Sequence, residues 1–349
     1  MNYIHRNKDV VLGKDDLEDL YTFKDFPVFM GCVESKADED VKADMSWKIS
    51  PTSGVIQLNP ILPLEVVYAT SHGSGTVGDA WEKHHKSFSE FVCKYKPTNV
   101  LEIGGLHGEL AKNCLDINSN LKWTIIEPNP SVPKNLPIKV IKGFFDNNFQ
   151  SNENFDTIIH SHVLEHIYDP NEFMSNKSLF MNVGDILIFS IPNLRSMLKS
   201  KWTNSINFEH TIYFTAPYVE YFLKKYGFEI TEKYSHQMDG KDHSLFYSAK
   251  KTSLPSNLPK LCKCLYKTNK KVFTEYIDFY LNDVNQINKL IKSQSKPVYL
   301  FGAHIFSQYL LAFGLNEKDL VCVLDNDSKK ENKRLYGTNL ISHSPKILK

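Results

Sequence analysis

Net charge, paired cysteines, long apolar runs and a dinucleotide fingerprint are all missing from this chain of 349 residues. Lysine plus arginine number 41 against 40 aspartate plus glutamate, so no net field draws the protein to nucleic acid, anionic lipid or a polyanion. The expected partner is a small molecule, and the expected state a monomer or homodimer. There is no N-terminal apolar segment of the signal-peptide kind and no apolar run of about 18 residues, which predicts a cytoplasmic protein without a spanning helix. The six cysteines (Cys32, Cys93, Cys114, Cys262, Cys264, Cys322) include no C-x-x-C pair, so a disulfide scaffold and a zinc ribbon both lose support. Cys262 and Cys264 are two apart, a spacing that points side chains to opposite sides of most elements, and they read as isolated buried thiols.

What is present is the composition of an ordinary globular protein, 42% hydrophobic and 23% charged, with room for two or three domains. Residues 1–78 carry short apolar runs broken by turn residues, such as Ser53-Gly54-Val55-Ile56-Gln57-Leu58-Asn59-Pro60, and predict small strands and loops. From 79 to 250, strand-like runs alternate with amphipathic stretches of helical length. A helix near Asp79 to Tyr95 is followed by strands at Asn99 to Ile103, Lys122 to Ile126, Ile138 to Ile141, Phe155 to His160, Asp185 to Ser190 and Phe228 to Lys233. This α/β alternation predicts a Rossmann-like, doubly wound and largely parallel sheet. Leu254-Pro255-Ser256-Asn257-Leu258-Pro259 reads as a linker, and 256–349 as a further α/β unit with strands near Pro297 to Phe301 and Leu320 to Leu324.

The strand Asn99 to Ile103 runs straight into Gly104-Gly105-Leu106-His107-Gly108, a glycine-rich turn of the kind that brings backbone close to a ligand. The spacing E-x-G-x-x-x-G departs from G-x-G-x-x-G because Leu106 stands where a glycine is required, which disfavours hydride chemistry. The next strand ends at Glu127, 25 residues after Glu102, where a carboxylate can accept from both hydroxyls of a ribose. After the third strand, Asp146 can meet an adenine amino group and Phe145 can flank the ring. The fourth strand ends in His160-Ser161-His162-Val163-Leu164-Glu165-His166, at the edge where open sheets bind ligands. Ser161 and His162 are assigned there to the cofactor and His160 to the substrate. His166 reads as a cap of the following turn, and no metal is expected, because no other ligands cluster near these histidines in the sequence.

The segments VLEIGG-x-x-G, IIEPNP, FDTIIHSHVLEH and NFEHTIYFT together resemble class I S-adenosylmethionine-dependent methyltransferases, and more narrowly the three-domain C-methyltransferases of nucleotide-linked keto-sugars. That resemblance implies a methyltransferase domain flanked by a small N-terminal β-rich domain and a C-terminal α/β domain. It implies S-adenosylmethionine as cofactor, with Glu102, Gly104, Gly105 and Gly108 in its loop. Glu209-His210-Thr211-Ile212-Tyr213-Phe214-Thr215 matches the family's substrate-side E-H…Y-F-S. His210 is expected as general base, Glu209 as its orienting acid or itself the group that takes the proton, and Tyr213 as donor to a substrate oxygen. Tyr68, Ser71 and His72, with the pair His84-His85, are expected to close over the substrate. The family's structural zinc is not expected, since Ser50 and Ser53 stand at the apparent thiolate positions. The family continues beyond Ser344-Pro345-Lys346, which implies a shortened C-terminal unit.

Overall fold

A computed structural model describes residues 2–68 and 79–348. In the N-terminal part, β1 (Glu18–Pro27), β3 (Lys42–Ile49) and β4 (Ile56–Leu58) form an antiparallel sheet, and between them lies the short β2 (Cys32–Val33). In β3, alternate residues are buried, so Ala43, Met45, Trp47 and Ile49 line one face as a period of two requires. A short α1 (Leu64–Val67) ends this part.

The central part runs α2 (Asp79–Cys93), β5 (Asn99–Ile103), α3 (Glu109–Ile117), β6 (Lys122–Glu127), β7 (Lys139–Lys142), β8 (Thr157–Ser161), α4 (Pro170–Phe180), β9 (Ile186–Pro192), α5 (Leu194–Lys199), α6 (Ala216–Lys225), β10 (Phe228–Met238) and β11 (Lys241–Lys251). Its strands make one sheet in the order β7-β6-β5-β8-β9-β11-β10. Five are parallel, and β11 runs against its neighbours on both sides. The expected strands are found, whereas β11 was not anticipated. Its sequence, Lys-Asp-His-Ser-Leu-Phe-Tyr-Ser-Ala-Lys-Lys, is polar at both ends and is buried by insertion between β9 and β10. The sheet is covered on both faces, so adjacent strand residues enter different cores. Val100, Ile125, Ile159, Ile188 and Phe246 pack with α2 and α3, and Leu101, Ile126, Ile158, Leu187 and Tyr247 pack with α4 and α6.

The third part consists of a long α7 (Leu265–Lys292), β12 (Leu300–Phe301), α8 (Ile305–Ala312), β13 (Val323–Leu324), β14 (Arg334–Leu335) and β15 (Ser342–His343). It shares the large core with the N-terminal part. Trp47 meets Phe273, and Phe23 meets Tyr309 and Phe313. β14 pairs with β2, and Arg334 donates to both carboxylate oxygens of Asp40 at 2.6 and 2.7 Å. Cys262 and Cys264 are exposed and joined in a disulfide, contrary to the expectation of buried thiols, because the chain turns just before α7 and brings both sulfurs to one side. Among the described residues, no helix is long and apolar enough to cross a membrane.

Candidate active site

The glycine turn leaves β5 at the carboxyl edge of the sheet. Gly104 and Gly108 have φ of +80° and +74°, which favours glycine at both. The turn packs against protein on its inner side. A Cβ on Gly104 would lie 2.7 Å from a methyl of Val163, and one on Gly105 would lie 2.9 Å from both the Glu102 carboxyl carbon and Ile125. The glycines thus hold the turn down onto the sheet and onto the segment after β8. Gly108 caps α3 from the left-handed region and donates its N–H to the Gly105 carbonyl.

Glu102 lies beneath this turn rather than in the crevice. It is 3% exposed, shares its sheet face with Val100 and Trp123, and accepts a 2.8 Å hydrogen bond from the Trp123 indole N–H. Burial pushes its carboxyl up to about 7, against the pull of that hydrogen bond. Glu127 ends β6, where its Oε1 accepts the Asn129 N–H at 2.9 Å and its Oε2 has no hydrogen bond among the described residues. Asp146 is half-buried and holds its own turn by accepting from the Asn148 N–H. Phe145, expected beside an adenine ring, is instead in the core against Phe149, Phe173 and Phe180, and its neighbour Phe144 is the exposed ring, at 61%. Alternation along the chain turns one ring in and the next out.

After β8 the residues separate in role. His160, expected at the substrate, faces the core on the α4 side, stacked on Phe189 and hydrogen-bonded to the buried Lys177 amine at 2.9 Å. Burial pushes both groups well below their ordinary pKa, and the pair, enclosed in the core, is structural. Ser161 and Ser190 hydroxyls bond each other at 2.8 Å. His162 has φ of +52°, with Nε2 3.1 Å from the Ser244 hydroxyl and Nδ1 3.3 Å from Glu165 Oε1. A 3-10 turn then carries Leu164, Glu165 and His166. His166 does not cap α4, because Asp169 does, accepting from the N–H groups of Asn171 and Glu172.

The Glu209-His210 segment arrives from the far side of β9, and three groups fix it. Asn207 Oδ1 accepts both the Glu209 and the His210 N–H at 2.8 Å. The segment then runs beside β4, with Leu58 N–H donating to Thr211 O and Tyr213 N–H to Ile56 O. Finally, the Arg6 guanidinium donates to the carbonyls of Leu58, Thr211 and Tyr168 at 2.9, 2.8 and 3.1 Å, tying this segment to the one after β8. The result is a cluster in which His166 and His210 rings lie 4.9 Å apart and Glu209 Oε2 is 3.8 Å from His166 Nδ1. The Tyr68 hydroxyl is 3.3 Å from that same nitrogen. His210 Nδ1 is 3.2 Å from the Ser205 carbonyl. A carbonyl only accepts, so Nδ1 carries the proton and Nε2 the lone pair.

Tyr213, expected at a substrate oxygen, is 1% exposed within the large core. Its backbone pairing with Ile56 turns the ring inward, and the position assigns it to packing. Ser71 and His72 lie outside the described residues. His84, from the pair expected to close over the substrate, is buried in α2 among the rings of Trp81, His162, His236 and His243. Ser50 and Ser53, the apparent thiolate positions, are buried with their hydroxyls accepting N–H groups of the intervening turn. Sequence reasoning passed over Arg6, Asn207 and Glu165. Only Glu165 left a local trace, in the spacing His162-x-x-Glu165-His166.

Residues 80–233 match the family model described as a methyltransferase domain. No curated protein matches the chain. Among solved structures, the Burkholderia thailandensis 1,6-didemethyltoxoflavin-N1-methyltransferase with bound S-adenosylhomocysteine is 15% identical, over 59% of this chain and 96% of that one, with a TM-score of 0.43. Human N-acetylserotonin methyltransferase in complex with S-adenosylmethionine is 16% identical, over 50% of this chain and 53% of that one, with a TM-score of 0.41. The plantazolicin methyltransferase BpumL in complex with S-adenosylhomocysteine is 13% identical, over 48% of this chain and 82% of that one, with a TM-score of 0.37. The family match, the seven-stranded sheet and the glycine turn followed by a strand-end acid fall on the same stretch, and residues 80–233 are similar to a methyltransferase domain.

Proposed function

We propose that the chain transfers a methyl group to a small-molecule acceptor, with the cofactor along the glycine turn and Glu127, and the acceptor between the cofactor and the Glu209-His210 segment. The residues fit the cofactor. Glu127 offers Oε2 at the end of β6 for a ribose, and Asp146 stands at the end of β7 for the base. Bound there, S-adenosylmethionine supplies an electrophilic methyl on a sulfonium. The chain's own task is to hold the acceptor in line and to take up its proton.

One observation carries the assignment of that proton. The Ser205 carbonyl fixes the His210 tautomer with a lone pair on Nε2, on a segment that Arg6 ties to the strand edge beside the cofactor turn. His210 then acts as general base. Glu209 positions the neighbouring His166. The acceptor class is a nucleotide-linked keto-sugar, supported by the resemblance of Glu209-His210…Tyr213-Phe214-Thr215 to the C-methyltransferases. The parts 1–78 and 256–349 are proposed as the flanking domains, the first closing the acceptor side through Tyr68.

Thermal unfolding with ligand tests the cofactor. S-adenosylmethionine and S-adenosylhomocysteine should raise the melting temperature and nicotinamide dinucleotides should not, and Glu127→Ala should abolish most of the shift. Stabilisation by NAD and none by S-adenosylhomocysteine would refute the assignment. A screen of nucleotide sugars and small hydroxyl compounds with labelled cofactor then identifies the acceptor and whether carbon, oxygen or nitrogen receives the methyl.

A further inference from the structure

Glu165 is fully buried, and neither of its carboxylate oxygens has a hydrogen-bond partner among the described residues. An isolated buried carboxylate is costly unless something of opposite charge meets it. The groups around it are imidazoles, with His162 Nδ1 at 3.3 Å and His166 Nε2 at 4.0 Å from Oε1. One ligand atom from each of Glu165, His166 and His210 can be chosen so that all lie within 4.8 Å of one another. In a tetrahedral site with ligand bonds of about 2.1 Å, ligand atoms sit about 3.4 Å apart, so side-chain rotations of about 1 Å close the set.

We propose that Glu165, His166 and His210 bind a divalent first-row transition ion beside the cofactor turn. His166 Nδ1 faces the Tyr68 hydroxyl at 3.3 Å and Glu209 Oε2 at 3.8 Å, and oxygens on that side orient the imidazole and leave Nε2 for a metal. The Ser205 carbonyl does the same for His210, again leaving Nε2. Asn207 and Arg6 hold the two segments that carry the ligands. Two imidazoles and one carboxylate suit zinc and its neighbours in the first row, whereas magnesium and calcium prefer all-oxygen shells. Three protein ligands leave a position for an oxygen of the acceptor. This last role rests on the methyl-transfer reading: with the ion bound, His210 Nε2 is a ligand and not the base, the ion would polarise that oxygen, and its proton would pass to solvent water. Ion binding itself does not depend on it.

The nearby rings of His84, His162, His236 and His243, with centroids 4.9 to 6.5 Å apart, form the competing site. They contain no carboxylate, and the Ser244 hydroxyl already contacts His162 and His243.

The test is direct binding to the full chain, stripped with chelator and dialysed against Co²⁺ or Zn²⁺. One ion per chain by elemental analysis is expected, with a visible ligand-field band for Co²⁺ and no retention of Mg²⁺ or Ca²⁺. Glu165→Gln and His166→Ala should each weaken binding by about 100-fold or more, while His84→Ala retains the ion. Circular dichroism and stabilisation by S-adenosylhomocysteine report separately whether each variant folds and whether the cofactor site survives. In the unsubstituted protein, bound Co²⁺ should shift or broaden the imidazole proton resonances of His166 and His210, a measurement that needs no variant. The proposal is overturned if no ion is retained, if Glu165→Gln leaves affinity unchanged, or if His84→Ala alone abolishes binding. Should S-adenosylhomocysteine still bind in any of these cases, the methyltransferase reading stands without the ion.

Discussion

Replacing Glu102 by glutamine removes a buried charge while keeping the shape and the acceptor oxygen that the Trp123 indole needs. Burial raises the folded-state carboxyl from the ordinary 4.5 to about 7, and each tenfold in proton affinity corresponds to about 1.4 kcal/mol. Because the folded state holds this proton more tightly than the unfolded chain, the stability from the protonated carboxyl is fully present below pH 4.5. It declines between 4.5 and 7 and is lost above 7, a difference of about 3 kcal/mol. Glu102→Gln has no such titration. Its stability relative to the parent should therefore climb through that window and level off above pH 7, with the variant ahead by up to about 3 kcal/mol at pH 8. Urea unfolding at closely spaced pH values between 4.5 and 8.5, without cofactor, measures the difference. A gap that does not change across the window, or a variant less stable than the parent at pH 8, would refute the reasoning and place a compensating positive group or water beside Glu102.

Three further outcomes are expected. His210→Ala should lower kcat by about 10² to 10⁴ while the affinity for S-adenosylhomocysteine stays nearly unchanged, read by steady-state kinetics and calorimetry; full turnover would move the proton acceptor elsewhere. Arg6→Met leaves the carbonyls of Leu58, Thr211 and Tyr168 without their donor, and should cost about 3 kcal/mol or more in denaturant unfolding and raise KM through the loosened His210 segment. Asp40→Ala leaves the nearly buried Arg334 guanidinium with only the carbonyls of Ser35, Lys36 and Thr338 as acceptors and should cost about 3 kcal/mol, whereas its effect on cofactor binding should be small because the pair joins the turn before β3 to β14 rather than the glycine turn.

The strands of the central sheet and its glycine turn could be read from the chain because local chemistry dictates them. Apolar runs buried on both faces announce parallel strands, and an acid followed by glycines at positive φ announces a backbone turn that few other residues tolerate. β11 escaped notice because its polar ends carry little periodicity, and its place between β9 and β10 comes from long-range pairing. The same limit explains Phe145, His160 and Tyr213. Motif position put them near the strand ends, yet which way a side chain turns depends on which layer packs behind it, and each turns toward the core. The Glu165-His166-His210 grouping joins two segments more than forty residues apart, held by the Arg6 guanidinium, which donates to both, and by Asn207 Oδ1, which accepts the His210 N–H, and no local pattern announces either. The sequence by itself therefore determined the sheet and the glycine turn, since these follow from residues adjacent in the chain. Only the tertiary structure decided which histidines meet a buried carboxylate and which serve the core, because that follows from packing between distant segments.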